Sequence, residues 1–334
     1  MNDPLCESVL LSTLRENYYL EVVSLVPLDL GEDYYARTFK VVATTGKAYF
    51  LKVRSQLADA AALEIPRYLH ARGISQALAP LAVQSGERSV RLEGQQFILY
   101  PFISAESAAK TGLTPTQWAQ LGRAVHAWQH MTLPDRLVRL VERETFSPEQ
   151  RTLAADYLQR ALSGEFDRGA GQPLAAVLRA HQDEITHALE RAGALAASLA
   201  ANPPPFVLCH GDLTPWNILV QHDGKLAIVD WDSPRLAPRE YDLMVIGGNL
   251  TGRPDDPAAE TSFYQGYGRI TVDPSALAYF RYERVIADLA AFCREMWQQP
   301  SPGAQRLETI TTYVASNFGD NGTLAAARRA DQSS

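Results

Sequence analysis

The stretch that most constrains this chain runs from Leu208 to Asp232. There Leu208-Cys209-His210-Gly211-Asp212-Leu213-Thr214-Pro215-Trp216-Asn217-Ile218-Leu219-Val220 is followed by Lys225-Leu226-Ala227-Ile228-Val229-Asp230-Trp231-Asp232. Apolar runs at 218–220 and 226–229 flank His222-Asp223-Gly224, a pattern that predicts a β-hairpin. Such a hairpin holds Asn217 and Asp230 near its open end, with Asp212 just before it on an irregular, proline-containing loop. Two acids and one amide are thereby gathered around a single point.

Asn217 and Asp230 offer hard oxygen ligands of the kind that suits Mg²⁺, which takes a few protein oxygens and completes its shell with water and phosphate oxygens. Asp212, five residues before Asn217, is placed to accept a hydrogen bond from a substrate hydroxyl and aim its oxygen at phosphorus. A loose phosphoryl-transfer transition state asks little of the base, so a carboxylate of ordinary basicity suffices. Positioning and charge neutralisation do the rest. An Asp and an Asn also make turns through local hydrogen bonds; the His-Gly prefix and the hairpin context favour chemistry instead.

The rest of the chain changes texture at Pro101. Before it, β-branched and aromatic runs at 39–42 and 48–53 surround Thr44-Thr45-Gly46-Lys47, which predicts two strands and a glycine turn. Residues 57–72 are rich in Ala and Leu and stop at Gly73, as a helix with a C-terminal glycine does. Strand signals return at Leu81-Ala82-Val83, 89–92 and 96–100, completing a small sheet with one inserted helix. After Pro101, Thr114-Pro115-Thr116-Gln117 supplies an N-cap, a first-turn proline and a capping glutamine. Trp118, Leu121, Val125 and Trp128 then recur at helical spacing, a core-facing stripe. Further helices are predicted over 148–162, 174–200 and 275–297, with a loop at 163–171 and about ten frayed residues at the end.

Composition removes several classes of function. With 31 Lys+Arg against 38 Asp+Glu the net charge is −7, and no basic block is longer than Arg328-Arg329, so nucleic acid is not an expected partner. Cys6, Cys209 and Cys293 lie far apart with no CxxC pair, which points to a reducing compartment. Residues 1–7 lack a basic segment followed by an apolar one, and no run of about 18 uncharged apolar residues occurs; a soluble, cytoplasmic protein without a membrane partner is expected. His126 and His130 have a zinc-compatible spacing, yet no Glu follows His126 and no third ligand accompanies them. Gly46-Lys47 is not a Walker A loop, since Ala48 follows it and Val41 takes the first glycine position.

His210-Gly211-Asp212, then Asn217, then Asp230 eighteen residues after Asp212, resembles the catalytic and metal motifs of the aminoglycoside phosphotransferase family. Tyr49-Phe50-Leu51-Lys52 resembles its nucleotide-lysine strand and Tyr100-Pro101-Phe102-Ile103 its hinge. The run from Asp230 through Met244, with Ile246-Gly247-Gly248 and Phe263-Tyr264-Gln265-Gly266-Tyr267-Gly268, is similar to the spectinomycin phosphotransferase branch; the resemblance spans about 11–313. It implies a two-lobed α+β protein-kinase-like fold: an N-terminal β-sheet lobe at 1–100, a hinge at 101–106 and a mainly helical lobe at 107–334. It also implies Asp212 as catalytic base and Asn217 and Asp230 as Mg²⁺ ligands. Lys52 would meet the α/β-phosphates with Glu64 as its helix partner, and the backbone near Tyr100, Phe102 and Ile103 would hold adenine. The phosphate loop, Gly31-Glu32-Asp33-Tyr34-Tyr35-Ala36, carries one glycine where the family has several.

The donor implied is ATP or GTP, and the acceptor a small cationic, hydroxylated molecule, foremost spectinomycin, inactivated by phosphorylation. An acceptor pocket for a cation calls for carboxylates, and Asp232, Glu240, Asp242, Glu283 and Asp288 are the candidates, with Glu295 on the same helix. A kinase of an amino alcohol, a sugar or a macrolide-like compound has the same motifs. A silent nucleotide-binding module has no need of Lys52, Asp212, Asn217 and Asp230 together. A protein kinase would carry Ala-Pro-Glu after the metal aspartate, and Asp230-Trp231-Asp232 stands where Asp-Phe-Gly is expected.

Overall fold

The structure, a computed structural model, describes residues 6–28, 36–166, 169, 171–247, 257–298 and 303–333. The chain forms two compact units, Met1–Leu113 with Met131–Glu142 and His210–Pro234, and Thr114–His130 with Arg143–Cys209 and Arg235–Ser334. Neither is continuous in sequence. The loop and hairpin from His210 to Pro234 group with the N-terminal sheet.

In the first unit five strands, β1 (Val22–Leu28), β2 (Ala36–Ala43), β3 (Ala48–Arg54), β4 (Val90–Leu92) and β5 (Gln95–Pro101), form an antiparallel sheet in the order β1-β2-β3-β5-β4. Alternation along the strands sends Phe39, Val41, Leu51, Val53, Phe97 and Leu99 to one face, where Leu10 and Leu14 of the helix Glu7–Tyr18 join them. Lys52 and Arg54 alternate with Leu51 and Val53 and therefore leave β3 on the opposite face. Ile98 lies on that face too, against Ala58, Ala62 and Leu63 at the helix Ala60–Ala71. Gly73 follows this helix at φ +91°, as its glycine stop requires.

One expectation for this unit is corrected. Leu81-Ala82-Val83 is not a strand: Leu81 N–H bonds the Leu99 carbonyl at 2.7 Å, but Val83 and Gly86 turn the chain back on Glu87 before a ladder forms. Conversely, β1 and the helix Glu7–Tyr18 had no assignment. As an edge strand, β1 exposes Val23 at 64% and Val26 at 48%, which removes the clean alternation that a strand needs to be recognised.

The hairpin forms as predicted, with Ile218–Gln221 against Leu226–Ile228 and Ala105–Ser107 added on the outer side. Backbone bonds from Ile228 N–H to the Gln76 carbonyl at 2.7 Å and from Leu78 N–H to the Ile228 carbonyl at 3.0 Å tie it to the segment after the helix Ala60–Ala71.

The second unit is mainly helical. Its helix Pro115–Gln129 begins with the expected capping box, and of its two tryptophans Trp128 is fully buried and Trp118 half-buried. Gly122 and Gly266 allow it to lie directly on the helix Pro257–Tyr267, since a Cβ on Gly122 would sit 2.1 Å from the Phe263 carbonyl. The stretch 174–200 divides into Gln172–Ala180 and Gln182–Ala201 at His181. The end of the chain is not frayed: Thr323–Asp331 is a helix with Leu324, Ala326 and Ala327 buried, held by Arg191–Asp331 at 2.7 Å and Arg328–Glu184 at 2.9 Å. Among the described residues, no helix is long and apolar enough to cross a membrane.

Candidate active site

The loop before the hairpin is fixed from within the first unit. His210 is fully buried, and its Nδ1 accepts the Asp212 N–H at 3.2 Å, so the ring proton sits on Nε2 and is donated to the Val229 carbonyl at 3.0 Å. Trp231, itself buried, packs on that ring at 4.4 Å and donates Nε1–H to the Ile228 carbonyl. Between His210 and Asp212 only glycine fits: Gly211 has φ +92°, and a Cβ there would lie 1.9 Å from the Ser233 carbonyl oxygen.

Asn217 closes the loop onto Asp212. Its Nδ2 donates to the Asp212 backbone carbonyl at 2.8 Å and to Asp212 Oδ2 at 2.9 Å. Both neighbours are acceptors, which decides the orientation of the amide and leaves Oδ1 as its lone-pair atom. The Asn217 carbonyl accepts Val229 N–H at 3.0 Å, holding the loop to the chain that leads into Asp230. Asp230 has φ +62°, a left-handed conformation that aspartate adopts more readily than most residues but at some cost.

The carboxylate of Asp230 remains 44% exposed and accepts from Lys52 Nζ at 3.1 Å. Lys52 Nζ also reaches Asp232 Oδ2 at 3.0 Å, and Arg54 Nη1 reaches the same oxygen at 2.8 Å. Burial would lower the pKa of Lys52, but Asp230 and Asp232 outweigh it and hold the ammonium above its ordinary value. The pair Asn217 Oδ1 and Asp230 has the chemistry for a hard divalent cation: two oxygen donors, one anionic, with the carboxylate open to solvent.

A phosphotransferase enzyme family model matches residues 28–280. The chain belongs to that family. Over 99% of its length the phosphotransferase is similar to the whole chain of spectinomycin phosphotransferase APH(9)-Ia, crystallised with ADP and spectinomycin, at 28% identity and a TM-score of 0.89. The AMP-bound complex of APH(9)-Ia gives 26% identity and a TM-score of 0.85, covering 97% of this chain and 99% of that one. An aminoglycoside phosphotransferase from Alicyclobacillus acidocaldarius subsp. acidocaldarius shares the fold at 17% identity and a TM-score of 0.63, over 99% of this chain and 98% of that one. No curated protein matches. The mixed α+β architecture is that of these protein-kinase-like phosphotransferase structures, two of which hold ADP or AMP.

The other expected nucleotide residues of the phosphotransferase occupy varied surroundings. Tyr100 packs on the cluster of Ala58, Ala62, Leu63 and Ile98, and burial, with the charges of Asp232 and Asp230, pushes its hydroxyl pKa up. Phe102 N–H is engaged by the Ala48 carbonyl at 3.2 Å, with Lys40 Nζ 4.6 Å from the centre of its ring; Ile103 is half-buried. Glu64 pairs with Arg88 at 3.2 Å, Arg67 at 3.8 Å and Arg136 at 4.0 Å. Residues 31–35 of the phosphate loop lie outside the described residues.

Among the acceptor candidates, Asp232 sits in the Lys52 cluster and the other four belong to the second unit, each with protein partners. Glu240 is buried and accepts Asp273 N–H at 3.0 Å, and burial raises its pKa. Asp242 is buried and accepts Trp128 Nε1–H at 3.1 Å. Glu283 pairs with Arg151, and burial raises its pKa in spite of that cation. Asp288 accepts from Arg284 at 3.0 Å and from the Tyr313 hydroxyl at 2.8 Å, while Glu295 pairs with Arg306 at 2.7 Å. His126 and His130 stack at 3.9 Å, and among the described residues no group of three His, Cys, Asp or Glu could hold a metal. Arg54 had no assignment from sequence, although its place two residues after Lys52 on one strand already puts both cations on one face.

Proposed function

We propose that this phosphotransferase moves the γ-phosphoryl group of ATP to a hydroxyl of an aminocyclitol such as spectinomycin, and so inactivates the antibiotic. The observation that carries the proposal is the clamp of Asn217 on Asp212, beside the Lys52–Asp230 pair. Full-length likeness to APH(9)-Ia supports the choice of acceptor.

In this account Asp212 takes the hydroxyl proton as the new P–O bond forms, its carboxylate held in place by Asn217. Lys52 draws the phosphates toward Asp230. Asn217 Oδ1 and Asp230 would hold Mg²⁺, which when bound neutralises charge on the phosphate oxygens. Backbone groups near Tyr100, Phe102 and Ile103 receive adenine. Glu240, Asp242, Glu283 and Asp288 already serve protein groups of the second unit and act as supports of its helices. Unpaired thiols at Cys6, Cys209 and Cys293 suit a reducing, cytoplasmic setting.

The test is ADP release from Mg·ATP, and separately Mg·GTP, over a panel of spectinomycin, several aminoglycosides, macrolides, choline and small sugars. Rapid turnover with spectinomycin alone is expected. Turnover confined to choline or a sugar would reject the aminocyclitol acceptor.

A further inference from the structure

We infer that Asp232, anchored by Arg54, is the carboxylate that positions Lys52, and that it serves the nucleotide side of the reaction and not the acceptor. The inference rests on the proposed contact between Lys52 and the nucleotide phosphates.

Strand β3 projects Lys52 and Arg54 from one face, and both cations converge on a single atom, Asp232 Oδ2, at 3.0 and 2.8 Å. Charge-assisted hydrogen bonds of this length are the strong kind. A carboxylate oxygen bridging two cations is poorly placed to receive a third from an aminocyclitol. Exposure orders the cluster: Lys52 and Arg54 side chains are 12% and 13% exposed, Asp232 29%, Asp230 44%. Asp232 is the inner holder of the ammonium and Asp230 the outer one, open enough to take another partner.

The backbone around Asp232 is equally constrained. On one side Trp231 is buried against His210 and bonded to the Ile228 carbonyl; on the other the Ser233 carbonyl abuts Gly211. The loop that fixes Asp212 therefore also fixes the carboxylate that fixes Lys52. Glu64, the alternative holder on the helix Ala60–Ala71, is committed to arginines, foremost Arg88 at 3.2 Å. Arg54 is a positioning residue: its guanidinium, 2.8 Å from Asp232 Oδ2, keeps that carboxylate turned toward β3.

The test is equilibrium titration with ADP in the presence of EDTA, which reads the lysine without metal or turnover. Lys52→Met is compared with Lys52 in three backgrounds, wild type, Asp232→Asn and Arg54→Met, with Arg54→Lys as the conservative rescue and thermal melts to confirm folding. In the wild-type background, loss of the lysine is expected to weaken ADP about tenfold. In the Asp232→Asn and Arg54→Met backgrounds the same change should cost less than about threefold, the non-additivity of residues acting as one unit. Arg54→Lys should restore most of the difference. An equal loss in every background would overturn the inference while leaving the phosphate role of Lys52 standing. So would an Asp232→Asn variant that keeps the full lysine effect and loses spectinomycin affinity instead. A wild type whose ADP affinity ignores Lys52→Met would overturn the functional reading of the lysine, and the inference with it.

Discussion

In the first unit, Asp230 keeps 44% of its side chain exposed, adopts a left-handed backbone and shares Lys52 with Asp232. In the second, Asp242 and Glu240 are almost wholly buried, and their partners are an indole N–H and a backbone N–H. The two sets of acids lie within thirteen residues of each other in sequence, and their surroundings separate them. A strained, half-open carboxylate beside a cation is arranged to exchange partners. A buried one bonded to a neutral N–H is a structural bond, and removing it leaves a donor to be desolvated without its acceptor. In the proposed mechanism, acidic residues therefore divide by environment into those that do chemistry and those that hold the helices.

That division is exposed to a series of substitutions. Within this series the largest effect belongs to Asp230→Asn, which tolerates the left-handed backbone and for which turnover should fall about 10²–10³-fold, the usual cost of removing one electrostatic contributor, with an unchanged melting temperature; a drop in stability without loss of turnover would move Asp230 into the structural set. Gly211→Ala should lower both quantities, because its Cβ meets the Ser233 carbonyl at 1.9 Å and the backbone sits at φ +92°; a cost of about 1–3 kcal/mol is expected from the strain, read by urea denaturation, and an unaltered midpoint would show that the loop has slack. Asp242→Ala should cost about 1–3 kcal/mol of stability and leave turnover per folded molecule within severalfold of wild type; selective loss of spectinomycin affinity would instead return Asp242 to the acceptor set.

The smallest effect concerns pH and the last helix. The bond from Arg191 holds the Asp331 carboxyl below its usual range. For Glu184 burial acts upward, but His181 and Arg328 outweigh it and the net shift is also down. Carboxylates depressed in the folded state stabilise it above their ordinary range, about pH 4, and lose that contribution as the pH falls through their lower folded values. Protection of the amides over 323–331, referred to their intrinsic exchange rate at each pH, should therefore fall on acidification from pH 6 to pH 3 ahead of protection in the sheet; simultaneous loss everywhere would refute a local role for these pairs.

Much of the candidate site's scaffold was legible because it is specified at short range. Gly211, Asp212, Asn217 and the Asp223-Gly224 turn lie within fourteen residues, and a hairpin is specified by local alternation and turn chemistry. What escaped was whatever depends on distant partners. The edge strand β1 shows no alternation because its outer face is wet, and Thr323–Asp331 is held by Arg191 and Glu184, more than a hundred residues earlier. Asp232 is an acceptor candidate from sequence because a cationic acceptor calls for carboxylates; the cations it meets come from β3, 178 and 180 residues away. Burial cannot be read from the run Arg239-Glu240-Tyr241-Asp242, where both acids turn inward onto Asp273 and Trp128.

The most direct test of the central claim is the rate of spectinomycin phosphorylation by wild type and by Asp212→Asn at saturating Mg·ATP, with melting temperatures measured alongside. Asparagine keeps the shape of the side chain and removes its capacity to take a proton. A loss of about 10²–10⁴-fold at an unchanged melting temperature is the predicted result. Near-normal turnover by a fully folded Asp212→Asn would contradict the account.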